Sequence, residues 1–226
     1  MMDDAALLRA LQHGDSFFPS GAAAFSWGLE ALCADGQVAG AADVGRFLEG
    51  QLRHRWATCD RPFLTAAHRA GGALDQVASI DRSLAAMTLP RELRDGAARA
   101  GGALLNIHER LGTPGAAAYR QIVRDGHAPG HLAVVQGLLW AGVGLDEAAA
   151  SAVSAHALSV GIVSAALRLS VISHIDAQRI LTATRGIIAG LMAEPVLGID
   201  DASVFTPATD IAAMRHETQI TRLFAN

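Results

Sequence analysis

The sequence contains no lysine, so all 18 of its basic residues are arginine. This absence excludes mechanisms that need a lysine amine, such as the phosphate-binding lysine of a P-loop, a Schiff base or a Ser–Lys dyad. The formal net charge is −4, whereas dedicated nucleic-acid-binding proteins carry a basic excess. We therefore expect neither P-loop nucleotide hydrolysis nor nucleic-acid binding.

Aromatic residues are also scarce, with a single tyrosine, while alanine occurs 46 times. Alanine has the highest helix propensity, and a β protein of this size would rely on Val, Ile, Thr and aromatic residues instead. A chain of 226 residues can bury one full hydrophobic core. The composition predicts an all-α protein.

Only two cysteines are present, Cys33 and Cys59, and they form no CxxC pair. This usage is typical of a reducing compartment. The first residues are acidic, whereas a signal peptide begins with a basic region. Two stretches without formal charge, 128–145 and 148–167, contain histidine and many small residues, so core helices explain them better than membrane spans. We expect a cytoplasmic protein without membrane contact.

Apolar residues recur at helical spacing along nearly the whole chain. Residues 145–171 show the clearest pattern, a stripe that includes Val153, His156 and Val163 and predicts a core histidine at position 156. Asp60 and Pro62 have the spacing of a helix cap and first turn. We predict a single-domain bundle of roughly ten helices over residues 1–226. Its predicted helices are 4–12, 23–34, 42–56, 60–70, 74–87, 90–110, 115–124, 131–142, 145–171 and 173–188, followed by an irregular connection from 194.

Catalytic and metal motifs are weak. Ser16 lies in a Gly-Asp-Ser triplet, and Ser26 is one residue short of a Gly-x-Ser-x-Gly elbow, but both motifs need a strand before the serine. The nine histidines and two cysteines show no zinc-type spacing. We therefore expect no enzyme, no metal site and no cofactor, and a serine hydrolase using Ser16 or Ser26 stays as an alternative.

Three segments have more distinctive residue patterns than helix packing alone requires. The first runs from Pro19 to Glu30 and combines a Pro-Gly turn with a helix that presents small residues. The second contains Arg168, which interrupts a long apolar helix. The third is the C-terminal segment 205–226, whose apolar residues stand beside arginine, as in a segment that docks on another surface. An unrelated helical protein-binding module would also fit these features.

Together, the three segments make the sequence similar to the UreF family of urease accessory proteins. The family shows Pro-x-Gly-x-Phe-x-x-Ser-x-Gly-Leu-Glu, then Ala-Ala-x-Arg-Leu with a Gln-x-Ile-Leu continuation, then His-Glu followed by Arg-Leu-Phe. Two departures stand out. Ala23 stands where the family has an aromatic residue, a space that Phe25 could fill, and between Arg94 and Leu105 the residues Ala97 and Gly101–Gly102 replace Ser and Gly-Arg, so that the arginine is lost. The matching residues are Pro19, Gly21, Ser26, Gly28, Leu29, Glu30, Ala165, Ala166, Arg168, Leu169, Gln178, Ile180, Leu181, His216, Glu217, Arg222, Leu223 and Phe224.

The resemblance implies an all-helical homodimer that joins a nickel-carrying GTPase, UreG, to the scaffold UreD, also called UreH, and so promotes nickel insertion into urease. It implies partner-binding roles for Pro19, Gly21, Ser26, Gly28, Glu30, Arg168, Gln178, His216, Glu217, Arg222, Leu223 and Phe224. The segment 205–226 would dock on the scaffold and become ordered on binding, and Glu30 would couple to the GTPase. Nickel would be handled by the complex.

Overall fold

All regular secondary structure in the computed structural model, which describes residues 3–18, 25–216 and 223–224, is helical. This confirms the predicted all-α class. The helices are α1 Asp4–Gly14, α2 Leu29–Ala34, α3 Ala41–Gln51, α4 Arg61–Ala70, α5 Leu74–Met87, α6 Arg91–Arg110, α7 Ala116–Arg124, α8 Leu132–Gly142, α9 Glu147–Arg168, α10 His174–Ala193 and α11 Pro207–His216, with a π-helix at Leu52–Asp60 and a 3-10 turn at Ile199–Asp201.

The helix starts follow local capping chemistry. The Asp146 carboxylate accepts the backbone N–H of Ala149 at the start of α9. Ser173 and Asp176 form a reciprocal capping box at the start of α10. Such caps satisfy N–H groups that have no partner inside the helix. They explain why the predicted starts of these helices were close to the observed ones.

The predicted break before Pro62 was wrong. The chain runs as one continuous rod from α3 through the π-helix into α4, and Asp60 has helical backbone angles without a capping hydrogen bond. Proline has no N–H for the carbonyl four residues earlier, which belongs to Thr58. That carbonyl instead accepts the N–H of Ser203 at 3.0 Å, and the carbonyl of His54 accepts the N–H of Phe205 at 3.0 Å. The rod therefore holds the connection between α10 and α11.

The bundle has two large apolar clusters. The first surrounds α9 and includes α2, α3, α10 and α11. The second surrounds α8, which packs between α4 and α6 and is buried over most of its length. The rod contributes to both clusters, and α9 packs on α8, so the helices form one bundle.

The buried face of α9 differs from the predicted stripe. Small residues such as Ala150, Ala155 and Ala166 are fully buried, whereas His156 is exposed, so the prediction of a core histidine there was wrong. Small side chains allow neighbouring helices to approach closely, and Val153, Ile162 and Val163 are buried among them. Within the described residues, α9 is the one helix with the length and apolarity of a membrane span, but 56% of that stretch is buried inside the bundle.

Candidate functional site

The first segment forms a tight turn before α2. Trp27 and Gly28 both have positive φ, 56° and 78°, and the carbonyl of Ser26 accepts the N–H of Leu29 at 3.0 Å. A Cβ at Gly28 would lie 3.1 Å from the carbonyl oxygen of Thr209. Glycine is therefore required at position 28 both by its backbone angles and by the close approach of α11. The sequence predicted helix here from residue 23, but α2 begins only at Leu29.

Glu30 holds the C-terminal segment against α2. One of its carboxylate oxygens accepts the backbone N–H of Leu223 at 2.7 Å, and the other accepts that of Phe224 at 3.2 Å. Glu30 itself is only 8% exposed. A buried carboxylate that accepts two backbone N–H groups makes charge-assisted hydrogen bonds, which are stronger than neutral ones. The acidic side chain of the first segment thus binds the main chain of the third.

Arg168 completes the contact from α9. Its guanidinium carbon lies 4.2 Å from the centre of the Phe224 ring, within the range of a cation–π interaction. Its Nη2 also lies 3.4 Å from the carbonyl oxygen of Leu223. Phe224 is buried, while the side chain of Leu223 remains exposed. We call this arrangement of Glu30, Arg168, Leu223 and Phe224 the C-terminal clasp.

The other predicted site residues divide into two groups. Ser26 is fully buried, and Gln178 is exposed on α10 without a hydrogen bond to the clasp within the described chain. Pro19, Gly21, Glu217 and Arg222 lie outside the described residues. His216 is the last residue of α11, and its side chain is likewise outside them. The structure therefore brings together one residue or more from each of the three segments.

Of the two departures from the family pattern, the first has a local explanation, whereas nothing in the structure explains Gly102, where a Cβ would meet no atom within 4 Å. Phe25 is buried, as expected if it substitutes for the aromatic residue that Ala23 replaces, and the Arg99 guanidinium lies 5.6 Å from the Phe25 ring centre. A Cβ at Gly101 would lie 2.0 Å from the carbonyl oxygen of Gly130. Position 101 therefore needs a glycine for the loop before α8 to pack on α6.

Neither candidate nucleophile, Ser16 or Ser26, follows a strand in the described ranges. Ser26 is buried in the turn before α2, and Ser16 follows α1, so neither has the strand-to-helix geometry of a hydrolase elbow. No group of three or more His, Cys, Asp or Glu side chains that could hold a metal ion occurs in the part of the chain that the structure describes. Cys33 and Cys59 are both free, and burial raises the pKa of the Cys59 thiol to about 12.

The sequence analysis did not identify a set of buried charged residues beside α8. Arg55 and Asp60 form an ion pair of 3.5 Å inside the rod, and Asp81 lies fully buried on α5. Burial raises the pKa of both the Asp60 and Asp81 carboxyls. An aspartate on the apolar face of a predicted helix, next to Val77, Ile80 and Leu84, was a signal available in the sequence.

Comparison with known proteins gives one consistent family. The UreF family model matches residues 38–185. The urease accessory protein UreF of Agrobacterium fabrum is 35% identical over 227 residues, which cover 97% of this chain and 96% of that protein. That of Trichodesmium erythraeum is 32% identical over 97% of this chain and 96% of its own length. That of Yersinia enterocolitica is 30% identical, with full coverage of both chains.

Proposed function

Because the chain belongs to the UreF family of urease accessory proteins, we propose that it bridges a UreG-like GTPase and a UreD/UreH-like scaffold, without catalysing a reaction itself. The bridge would promote insertion of nickel into the urease apoprotein. The observation that carries the proposal is the clasp, in which three segments shared with the family meet at one end of α9. The proposal places the protein in the cytoplasm as a homodimer.

The surface beside the clasp supports docking on the scaffold. Helix α11 buries Ala212 and Ala213 against the bundle and exposes Ile211 and Met214 by half of their area or more. Leu223 is also exposed, because the clasp holds its main chain and leaves its side chain outside. Exposed apolar side chains such as Ile211 and Met214, which lie three residues apart on one helix, are typical of a protein-binding surface. We call Ile211, Met214 and Leu223 the docking surface.

The clasp changes the role that we assign to Glu30. Both oxygens of its carboxylate accept N–H groups of the C-terminal segment, so we assign Glu30 to holding the docking surface in place instead of contacting the GTPase. The GTPase contact would then use other parts of the Pro19–Glu30 segment and α9. In this proposal nickel is cargo of the complex, and equilibrium dialysis of the isolated chain with Ni²⁺ tests whether this chain binds it directly.

The docking surface can be tested by co-purification with the scaffold. The double variant Ile211→Glu, Met214→Glu puts two carboxylates on α11 at exposed positions, so the fold should be retained. The matched control is Leu89→Glu, Ile175→Glu, which changes two exposed apolar residues elsewhere. We expect the α11 variant to lose scaffold binding by tenfold or more, roughly the effect of a disrupted interface centre. Equal retention of scaffold by both double variants would contradict the proposed docking surface.

A further inference from the structure

A cavity of about 250 Å³ opens between the end of α1, the rod, α8 and α9. All three tryptophans of the chain, Trp27, Trp56 and Trp140, line it. The α9 side of the wall is made of small or aliphatic residues, among them Ala157 and Gly161. A concave, mostly apolar space of this size is typical of small-molecule sites. The family segments and the clasp do not account for it.

His131 at the start of α8 lies on this wall and is 2% exposed. Both of its ring nitrogens lack a hydrogen-bond partner among the residues that the structure describes. Burial, with a smaller effect from Arg55, lowers the pKa of His131 to about 3, so the ring is neutral at physiological pH. A neutral imidazole carries one donor and one acceptor, and both are unused here. The indole Nε1 of Trp140, on the same wall, also has no partner within the described ranges.

The position of His131 is fixed by a dedicated network. The buried Asp81 carboxylate accepts the hydroxyl of Tyr119 at 2.6 Å and the backbone N–H groups of Gly130 and His131 at 2.7 and 2.9 Å. Gly130 in turn packs against α6 at Gly101, where a side chain would collide with it. The loop before α8 is therefore held from two sides, and the imidazole occupies a defined place on the cavity wall.

Buried polar groups without partners are rare, because each loses its hydrogen bonds to water on folding. Here three of the unpartnered side chains of the described residues, His13, His131 and Trp140, lie on the wall of one cavity, and a separate network holds His131 in place. We propose that this cavity is a binding site for a small uncharged molecule with a planar apolar body and a hydrogen-bonding group that contacts His131. An uncharged ligand fits best because the Asp60 carboxylate on the wall is paired with Arg55, and the other lining carboxylate, that of the exposed Asp15, already accepts the backbone N–H of Phe17.

Benzamide is a suitable probe, since it has a planar ring, a carbonyl acceptor and an amide donor. Titration of the full-length protein should change its tryptophan fluorescence in a saturable manner. For a ligand of about nine non-hydrogen atoms, the dissociation constant should be on the order of 1 mM. Toluene, which has the ring without the polar group, should bind at least about fivefold more weakly, because it leaves His131 unpartnered.

Two glycine variants distinguish benzamide binding in the cavity from unspecific binding elsewhere on the protein. Gly161 lines the cavity and Gly186 lies on α10 outside its lining, and a Cβ at either position would meet no atom within 4 Å. Gly161→Leu should fill the cavity and weaken benzamide binding about tenfold or more, whereas Gly186→Leu should leave it unchanged. Replacement of His131 by Phe should abolish the preference for benzamide over toluene. The proposal is overturned if benzamide shows no saturable binding, or if Gly161→Leu binds it as well as Gly186→Leu does.

Discussion

The guanidinium of Arg168 lies over the ring of Phe224, with its central carbon 4.2 Å from the ring centre. This contact joins the end of the longest helix to the C-terminal segment, and Glu30 holds the same segment from the other side through two backbone N–H groups. Leu223, which belongs to the docking surface, is thereby held against α2 and α9.

Replacement of Glu30 by Ala should loosen the C-terminal segment. The N–H groups of Leu223 and Phe224 would lose their shared acceptor, and we expect the free energy of unfolding to fall by about 1–3 kcal/mol. Hydrogen exchange at these two amides should accelerate more than elsewhere. Glu49→Ala is the control, since Glu49 forms an exposed ion pair with Arg53 that contributes at most about 0.5 kcal/mol. Unchanged exchange at both amides in Glu30→Ala would show that the clasp does not persist in solution.

The cation–π contact can be measured by a double-mutant cycle. Arg168→Ala and Phe224→Leu, alone and combined, should give a coupling energy of about 0.5–1 kcal/mol in urea unfolding. The same cycle with Arg179→Ala, another exposed arginine, should give a coupling near zero. Coupling that is absent in both cycles would mean that Arg168 contributes no energy to the position of Phe224.

A pair of glycine substitutions tests the close approach of α11 to the turn. Gly28 and Gly36 have similar positive φ, 78° and 72°, but only at Gly28 would a Cβ contact another segment. Gly36→Ala should therefore lower the free energy of unfolding by about 1 kcal/mol, because alanine is strained at a positive φ. We expect Gly28→Ala to lower the free energy of unfolding by at least about 1 kcal/mol more, because its Cβ would also lie too close to the carbonyl oxygen of Thr209. Equal losses in urea unfolding would argue against the observed packing.

Acidification should destabilise the protein through its buried histidines. Burial lowers the pKa of His131 to about 3 and that of His108 to about 4, while the unfolded chain has its ordinary value near 6.5. Below pH 6.5 the unfolded state binds protons that the folded state does not, so stability is present above that pH and is lost as pH falls. Between pH 6.5 and 5.5 the two groups should remove about 2 kcal/mol from the free energy of unfolding.

The variant His131→Gln separates this effect from other titrations. It should reduce the pH dependence in the same interval by about half, because one of the two groups no longer takes up a proton on unfolding. Measurements of urea unfolding at several pH values provide the check. If wild type and variant lose stability equally, His131 is not the buried neutral group that the structure places beside the cavity.

Local patterns were sufficient for most helices but not for the contacts between them. The helix at Leu74–Met87 was predicted to the residue, because its apolar periodicity and flanking turns are local properties. The rod through Asp60 and Pro62 was not, because the free carbonyl of Thr58 is satisfied by Ser203, far along the chain. His156 followed the helical period but is exposed, because small residues such as Ala150, Ser154 and Ala155, which the apolar pattern did not select, turn the buried face of α9 away from it.

In the candidate site, too, the sequence identified individual residues but not the contacts between them. Motif comparison selected Glu30, Arg168 and Phe224 without indicating that they contact one another. Glu30 and Phe224 are separated by 194 residues, and no local spacing encodes a hydrogen bond over such a distance. The cavity beside His131 could not be predicted either, because it depends on how α1, the rod, α8 and α9 pack together.

Reconstitution of the complex from purified proteins tests the proposed bridge most directly. The UreG-like GTPase, loaded with nickel and nucleotide, is mixed with the UreD/UreH-like scaffold in the presence or absence of this chain, and the masses are measured by size exclusion with light scattering. We expect an assembly that contains all three proteins, and no stable GTPase–scaffold complex when this chain is omitted. A GTPase–scaffold complex that forms equally well without this chain would contradict the account.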